Sequence, residues 1–249
     1  MLIWLTKSES DLSDLSDLSD LSDLSETPMH RLTPRDYTVP EEISHSAIHA
    51  LGSHLGAAML ALMVVFGVQS GEQVAWKVAS GAVFGATAIL LYAISAVYHA
   101  VTHPRAKQVL EVCDHMAIYF LIAGSYTPFT LVTLRPEHPA IGWTIFGIVW
   151  GLTVMGVVFK VFFTGRLRVV STLAYVGMGW IVVFAIRPLM DALPTAGLAW
   201  LLGGGVLYTL GTVFYLWRLM PFHHAVWHLF VLAGTLCHFF AVLFYVMMG

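Results

Sequence analysis

GAVFGATAILLYAISAVYH, residues Gly81 to His99, is an unbroken apolar run that ends on a histidine. No aspartate, glutamate, lysine or arginine interrupts it, and a helix needs about 20 such residues to cross the hydrocarbon core of a bilayer. Similar runs recur on both sides of it. We place seven spans at about 46–69, 76–99, 109–133, 140–163, 168–187, 195–217 and 224–247. The connections between them carry helix-stopping chemistry: Ser70-Gly71, His103-Pro104, Arg135-Pro136, Gly165, Arg187-Pro188 and Pro221. No alternating strand pattern appears. Helices are therefore the elements left to satisfy the backbone in lipid. The expected fold is all-α, a seven-transmembrane-helix bundle.

Composition agrees. Of 249 residues, 58% are hydrophobic and 11% charged, against about 45–50% and about 25% in soluble domains. Cys113 and Cys237 both fall in apolar stretches and read as small buried hydrophobes. The acids are unevenly placed, with eight of the fifteen in the first 36 residues. From Asp11 to Ser25 the chain repeats Asp-Leu-Ser five times. One isolated leucine per unit gives no continuous apolar face. We read residues 1–38 as a disordered acidic cytoplasmic tail and 39–249 as the membrane domain.

Lysine and arginine set the expected orientation. Lys7, Arg31, Arg35, Arg105, Lys107, Lys160, Arg166, Arg168 and Arg218 fall on the N-terminal side of the membrane. Lys77, Arg135 and Arg187 fall on the other. The N-terminus is then cytoplasmic and the C-terminus extracytoplasmic. His99 at the end of the second span, Asp114 near the start of the third, and His224 and His228 at the start of the seventh share one depth.

Ionisable groups at membrane depth are expensive and point to function. His224-Ala-Val-Trp-His228 places two imidazoles one turn apart on one helix face. Three imidazoles beside a carboxylate make the ligand set of a zinc site with an open position. Asp114 either ligates the metal or orients a water on it. Ser95, four residues before His99, puts a hydroxyl beside that ring. Glu42 and His49, two turns apart on the first helix, suit a hydrogen-bonding role around the ligands. His45 and His223 are expected to be solvated at the interface. His115 should turn away from Asp114 by about 100° on a helix. His238 should lie deeper, hydrogen-bonded within the bundle. Gly52/Gly56, Gly81/Gly85 and Gly147/Gly151 are four apart and offer close helix approach, though glycine is generally enriched in membrane helices.

These residues resemble the hemolysin III family, the bacterial branch of the progestin and adiponectin receptor superfamily. Three motifs carry the likeness: Glu42-Ile-Ser-His45-Ser-Ala-Ile-His49; Ser95-x-x-x-His99 with Asp114 and Leu121-Ile-Ala-Gly-Ser-Tyr-Thr-Pro-Phe129; and His224-x-x-x-His228. The likeness runs from about residue 40 to the end. It implies a cell-membrane protein, in bacteria of the inner membrane, with zinc in the inner leaflet. By position His99, His224 and His228 look like the ligands, Asp114 like the holder of a zinc-associated water and Ser95 like its polar neighbour. The first motif departs from the family, which usually has Asn where His45 stands, so an extra imidazole is available to the metal.

Three functions follow as expectations. The first is a zinc-dependent hydrolase of a lipid amide or ester, similar to ceramidases. The second is a non-catalytic sensor of membrane state with structural zinc. The third is a pore-forming cytolysin. The expected partners are membrane lipids and not nucleic acid, and no protein partner is indicated.

Overall fold

The computed structural model describes residues 37–249. The Asp-Leu-Ser repeat and the expected disorder of the tail lie outside these residues. Seven helices are long and apolar enough to cross a membrane. They are α1 (Val39–Gln69), α2 (Val74–Ala100), α3 (Pro104–Leu134), α4 (Pro139–Phe163), α5 (Arg168–Ala192), α6 (Thr195–Leu216) and α7 (His223–Met247). Among the described residues there is no strand. The chain is a multi-pass, all-helical membrane protein.

Two boundaries differ instructively from the sequence reading. α1 begins at Val39, not near 46. Pro40 fits a first turn, where its missing N–H costs nothing, and Glu41 and Glu42 complement the helix dipole there. That early start puts Glu42, His45 and His49 on one helical face. α5 does not stop at Arg187-Pro188 but runs on to Ala192. Residues Trp180–Ala185, just before that proline, tighten into a 3-10 segment. Tyr126 of α3 repairs the break. Its hydroxyl donates to Gly179 O at 2.6 Å and accepts from the Val182 amide at 2.9 Å. These are groups freed by the 3-10 segment, and such a break is tolerated in a membrane helix where a neighbour re-satisfies them. α3 has its own Pro128, followed by a π-helical stretch over Phe129–Leu134.

Packing is densest between α1 and α2, α2 and α3, and α6 and α7. Glycines permit the first of these contacts. A Cβ at Gly85 would stand 2.6 Å from Leu60 Cβ, and one at Gly52 would stand 2.8 Å from the Tyr92 ring. The other pair singled out, Gly147 and Gly151, faces open space. Buried cations are few and bonded: Lys77 donates to Met247 O at 3.3 Å and Lys160 to Ser171 Oγ at 2.8 Å. Both cysteines are free and half-buried, less enclosed than the sequence suggested.

Candidate metal centre

The start of α1, the end of α2 and the start of α7 bring four imidazoles together. His45, His99, His224 and His228 are all buried. Ring centroids lie 4.4 Å apart for His224 and His228, 4.7 Å for His45 and His99, and 4.9 Å for His45 and His224. One nitrogen from each of His45, His99 and His228 falls within 4.8 Å of the others. His45 was expected in solvent. It is 0% exposed, because α1 starts at Val39 and places it nearly two turns into the helix.

The second nitrogens explain the orientation of the rings. His99 Nδ1 donates to Glu42 Oε2 at 2.6 Å, and the same oxygen is 3.6 Å from His45 Nδ1. Lys107 Nζ donates to the other oxygen, Glu42 Oε1, at 2.6 Å. A carboxylate that accepts Nδ1–H leaves the Nε2 lone pair free for a metal, the usual arrangement behind ligating histidines. His99 Nε2 then faces His228 Nε2 at 3.3 Å. With Zn–N bonds of about 2.0–2.1 Å, two ligand nitrogens on a tetrahedron are separated by about 3.3–3.4 Å. The donor set and this edge fit a divalent ion that prefers imidazole.

The other residues of interest surround the cluster. His49 stacks edge-on against His228 with centroids 3.6 Å apart, and neither of its nitrogens has a hydrogen-bond partner. Asp114 is 8% exposed. The Ser95 hydroxyl faces its carboxyl without meeting hydrogen-bond geometry. His115 lines the same cavity as Asp114 and is not turned out of the site. Its Nδ1 bonds Glu111 O at 2.7 Å, and Tyr215 Oη lies 3.5 Å from Nε2. His223, also expected in solvent, is buried against Phe214 O at 3.1 Å. His238 bonds Leu201 O at 3.1 Å, within the bundle as anticipated.

Two features were not foreseen. The first is the entry to α7. Phe222 has φ 54°, left-handed for a large side chain, and its amide donates to Glu41 Oε1 at 3.1 Å. This clamp from α1 fixes the first turn that carries His224. The second is a cavity of about 110 Å³ leading away from the cluster. His224, His228, Ser95 and Asp114 line one end; Leu121, Ile122 and Ser125 continue it along α3, and Trp180, Tyr208 and His238 lie beyond. From Asp114 to Ser125 is roughly 16 Å at about 1.5 Å per residue. His45 and His99 do not line it; they stand behind the cavity wall.

The family model described as "Haemolysin-III related" matches residues 37–239. The chain is 44% identical over 209 residues to the "Hemolysin-3 homolog" of Bacillus subtilis (strain 168), covering 84% of this chain and 96% of that protein. It is 42% identical over 217 residues to "Hemolysin-3" of Bacillus cereus, covering 87% and 97%. It is 30% identical over 174 residues to the human "Monocyte to macrophage differentiation factor", covering 67% and 70%.

Proposed function

This chain belongs to the haemolysin-III-related family, and from that premise we propose that it is a zinc-dependent membrane hydrolase acting on a lipid amide or ester, at the cytoplasmic leaflet of the cell membrane. The observation that carries the reading is one juxtaposition. His224 and His228 of the imidazole cluster line an otherwise largely apolar cavity together with Asp114, and Glu42 is bonded to His99 behind them. An acyl chain fits such a cavity, and its carbonyl would then sit at the polar end.

His99, His224 and His228 would hold the ion, with Glu42 and His49 supporting the rings from outside. When bound, zinc supplies acidified water and polarisation of the acyl carbonyl. The rest is done by side chains. Asp114 accepts a proton at its carboxylate and returns it to the departing amine or alkoxide. Ser95 faces that carboxylate and limits its rotamers. Leu121, Ile122 and Val231 exclude water from the acyl chain. The short α1 clamp through Glu41 and Phe222 keeps the first turn of α7 in register with α2.

One observation favours a second reading, a non-catalytic clamp with structural zinc. The three imidazoles whose nitrogens converge within 4.8 Å are those of His45, His99 and His228, with the His224 ring 4.9 Å from that of His45, and closed four-coordinate sites are usually structural. A single experiment separates the two. Zinc-loaded wild type and Asp114→Asn are assayed against a ceramide, an N-acylated lipid and a fatty ester in mixed micelles. The hydrolase reading expects turnover in the wild type, and its loss in the variant with zinc content unchanged. Stoichiometric zinc without turnover of any of these lipids overturns it in favour of the clamp.

A further inference from the structure

We propose that His45 is itself a metal ligand in this chain, completing a four-imidazole site with His99, His224 and His228. The inference rests on the metal-site reading above and extends it to a residue outside the expected ligand set of His99, His224 and His228.

Three observations carry it. Ligand atoms of His45, His99 and His228 already lie within 4.8 Å of one another. The His45 ring meets all three other rings edge-on or nearly so, at 4.7 Å to His99, 4.9 Å to His224 and 5.5 Å to His228. One carboxylate oxygen, Glu42 Oε2, faces Nδ1 of both His45 and His99, at 3.6 and 2.6 Å. The carboxylate that is bonded to His99 thus also lies near Nδ1 of His45. His45 is also fully buried, where an imidazole is retained only with polar work to do.

The consequence concerns which reading of the metal holds. Four imidazoles would fill a tetrahedral zinc shell, so a site completed by His45 favours the structural clamp over the open, hydrolytic site. His224 and His228 line the cavity, while His45 and His99 do not.

Cobalt(II) is the probe. The purified full chain is loaded with cobalt, and its affinity is measured by competition with a chelator. Imidazole N–H protons shifted by the paramagnetic ion are counted by NMR. The expected result is four shifted N–H signals in the wild type, and three in His45→Asn with affinity at least tenfold weaker. Three signals in the wild type, unchanged in number and affinity in His45→Asn, overturn the assignment while leaving the metal site standing. Wild type that binds no cobalt and no zinc sinks both this inference and the reading beneath it. If His45→Asn does not fold, the wild-type count decides alone.

Discussion

The Phe222 amide donates to Glu41 Oε1 at 3.1 Å, and this bond ties the first turn of α7 to the first turn of α1. It holds a phenylalanine at φ 54°, a conformation that costs a non-glycine residue about 1–2 kcal/mol. The strain sits two residues before His224, which is where strained backbone is commonly maintained by its surroundings. Phe222→Gly adopts the same φ freely and should change thermal stability in detergent little. Phe222→Val, β-branched and poorly suited to a left-handed residue, should lower the midpoint by several degrees and weaken metal retention with it. A Phe222→Val protein as stable as wild type would show that the turn is not constrained.

Glu42 stands behind the rings, bonded to His99 and Lys107 and 3.6 Å from His45 Nδ1. Glu42→Gln keeps the shape but removes the anionic acceptor that fixes the His99 Nδ1–H. Loss of such a partner typically lowers metal affinity about 10–100-fold. Zinc competition should show that drop, with helix content by circular dichroism unaltered. Lys107→Met should give a smaller loss, because Lys107 is partly exposed and meets Glu42 and the Tyr98 ring rather than an imidazole.

The glycines yield a sharper contrast than their spacing suggests. Gly85 lies against Leu60 across the α1–α2 contact, so Gly85→Val forces the helices apart; overpacking of this kind costs about 1–3 kcal/mol. Gly147 has nothing within 4 Å of a Cβ. Gly147→Ala should be neutral or stabilising, since alanine is favoured over glycine in a helix by up to about 1 kcal/mol. Thermal unfolding of the two variants side by side checks this, and equal effects would contradict the packing.

These examples mark what the sequence makes legible. Span number and order follow from hydropathy, which depends on composition over a whole turn-rich window and tolerates local error. That the rings of His99, His224 and His228 meet, with centroids 5.3, 5.2 and 4.4 Å apart, follows from loop parity. His45 does not. A hydropathy window discards the polar first turns of α1, although those turns are helical because their polar face packs on α2 and α7 rather than on lipid. The 3-10 break inside α5 is equally hidden, because its freed groups at Gly179 and Val182 are satisfied by Tyr126 of another helix. Gly52/Gly56 and Gly147/Gly151 have the same spacing, and only the direction each helix faces separates a contact from open space.

The cavity offers a test that leaves the polar cluster untouched. Gly205 lines it from α6, and a Cβ built there would meet only the Trp180 ring, at 3.8 Å, an ordinary contact. Gly205→Leu therefore puts a branched side chain into the lumen without displacing backbone. On the hydrolase reading the metal content stays at wild-type level, because the cluster lies at the far end beside His224 and Asp114. The accepted acyl length shortens instead. Each methylene excluded from an apolar site forfeits about 0.8 kcal/mol, or roughly fourfold in affinity. Losing four carbons of contact should then lower kcat/KM for long-chain lipids by about two orders of magnitude, while short-chain substrates are spared. A uniform loss across all chain lengths would mean that the acyl group lies elsewhere, and a loss of zinc would mean that α6 shapes the cluster as well as the cavity.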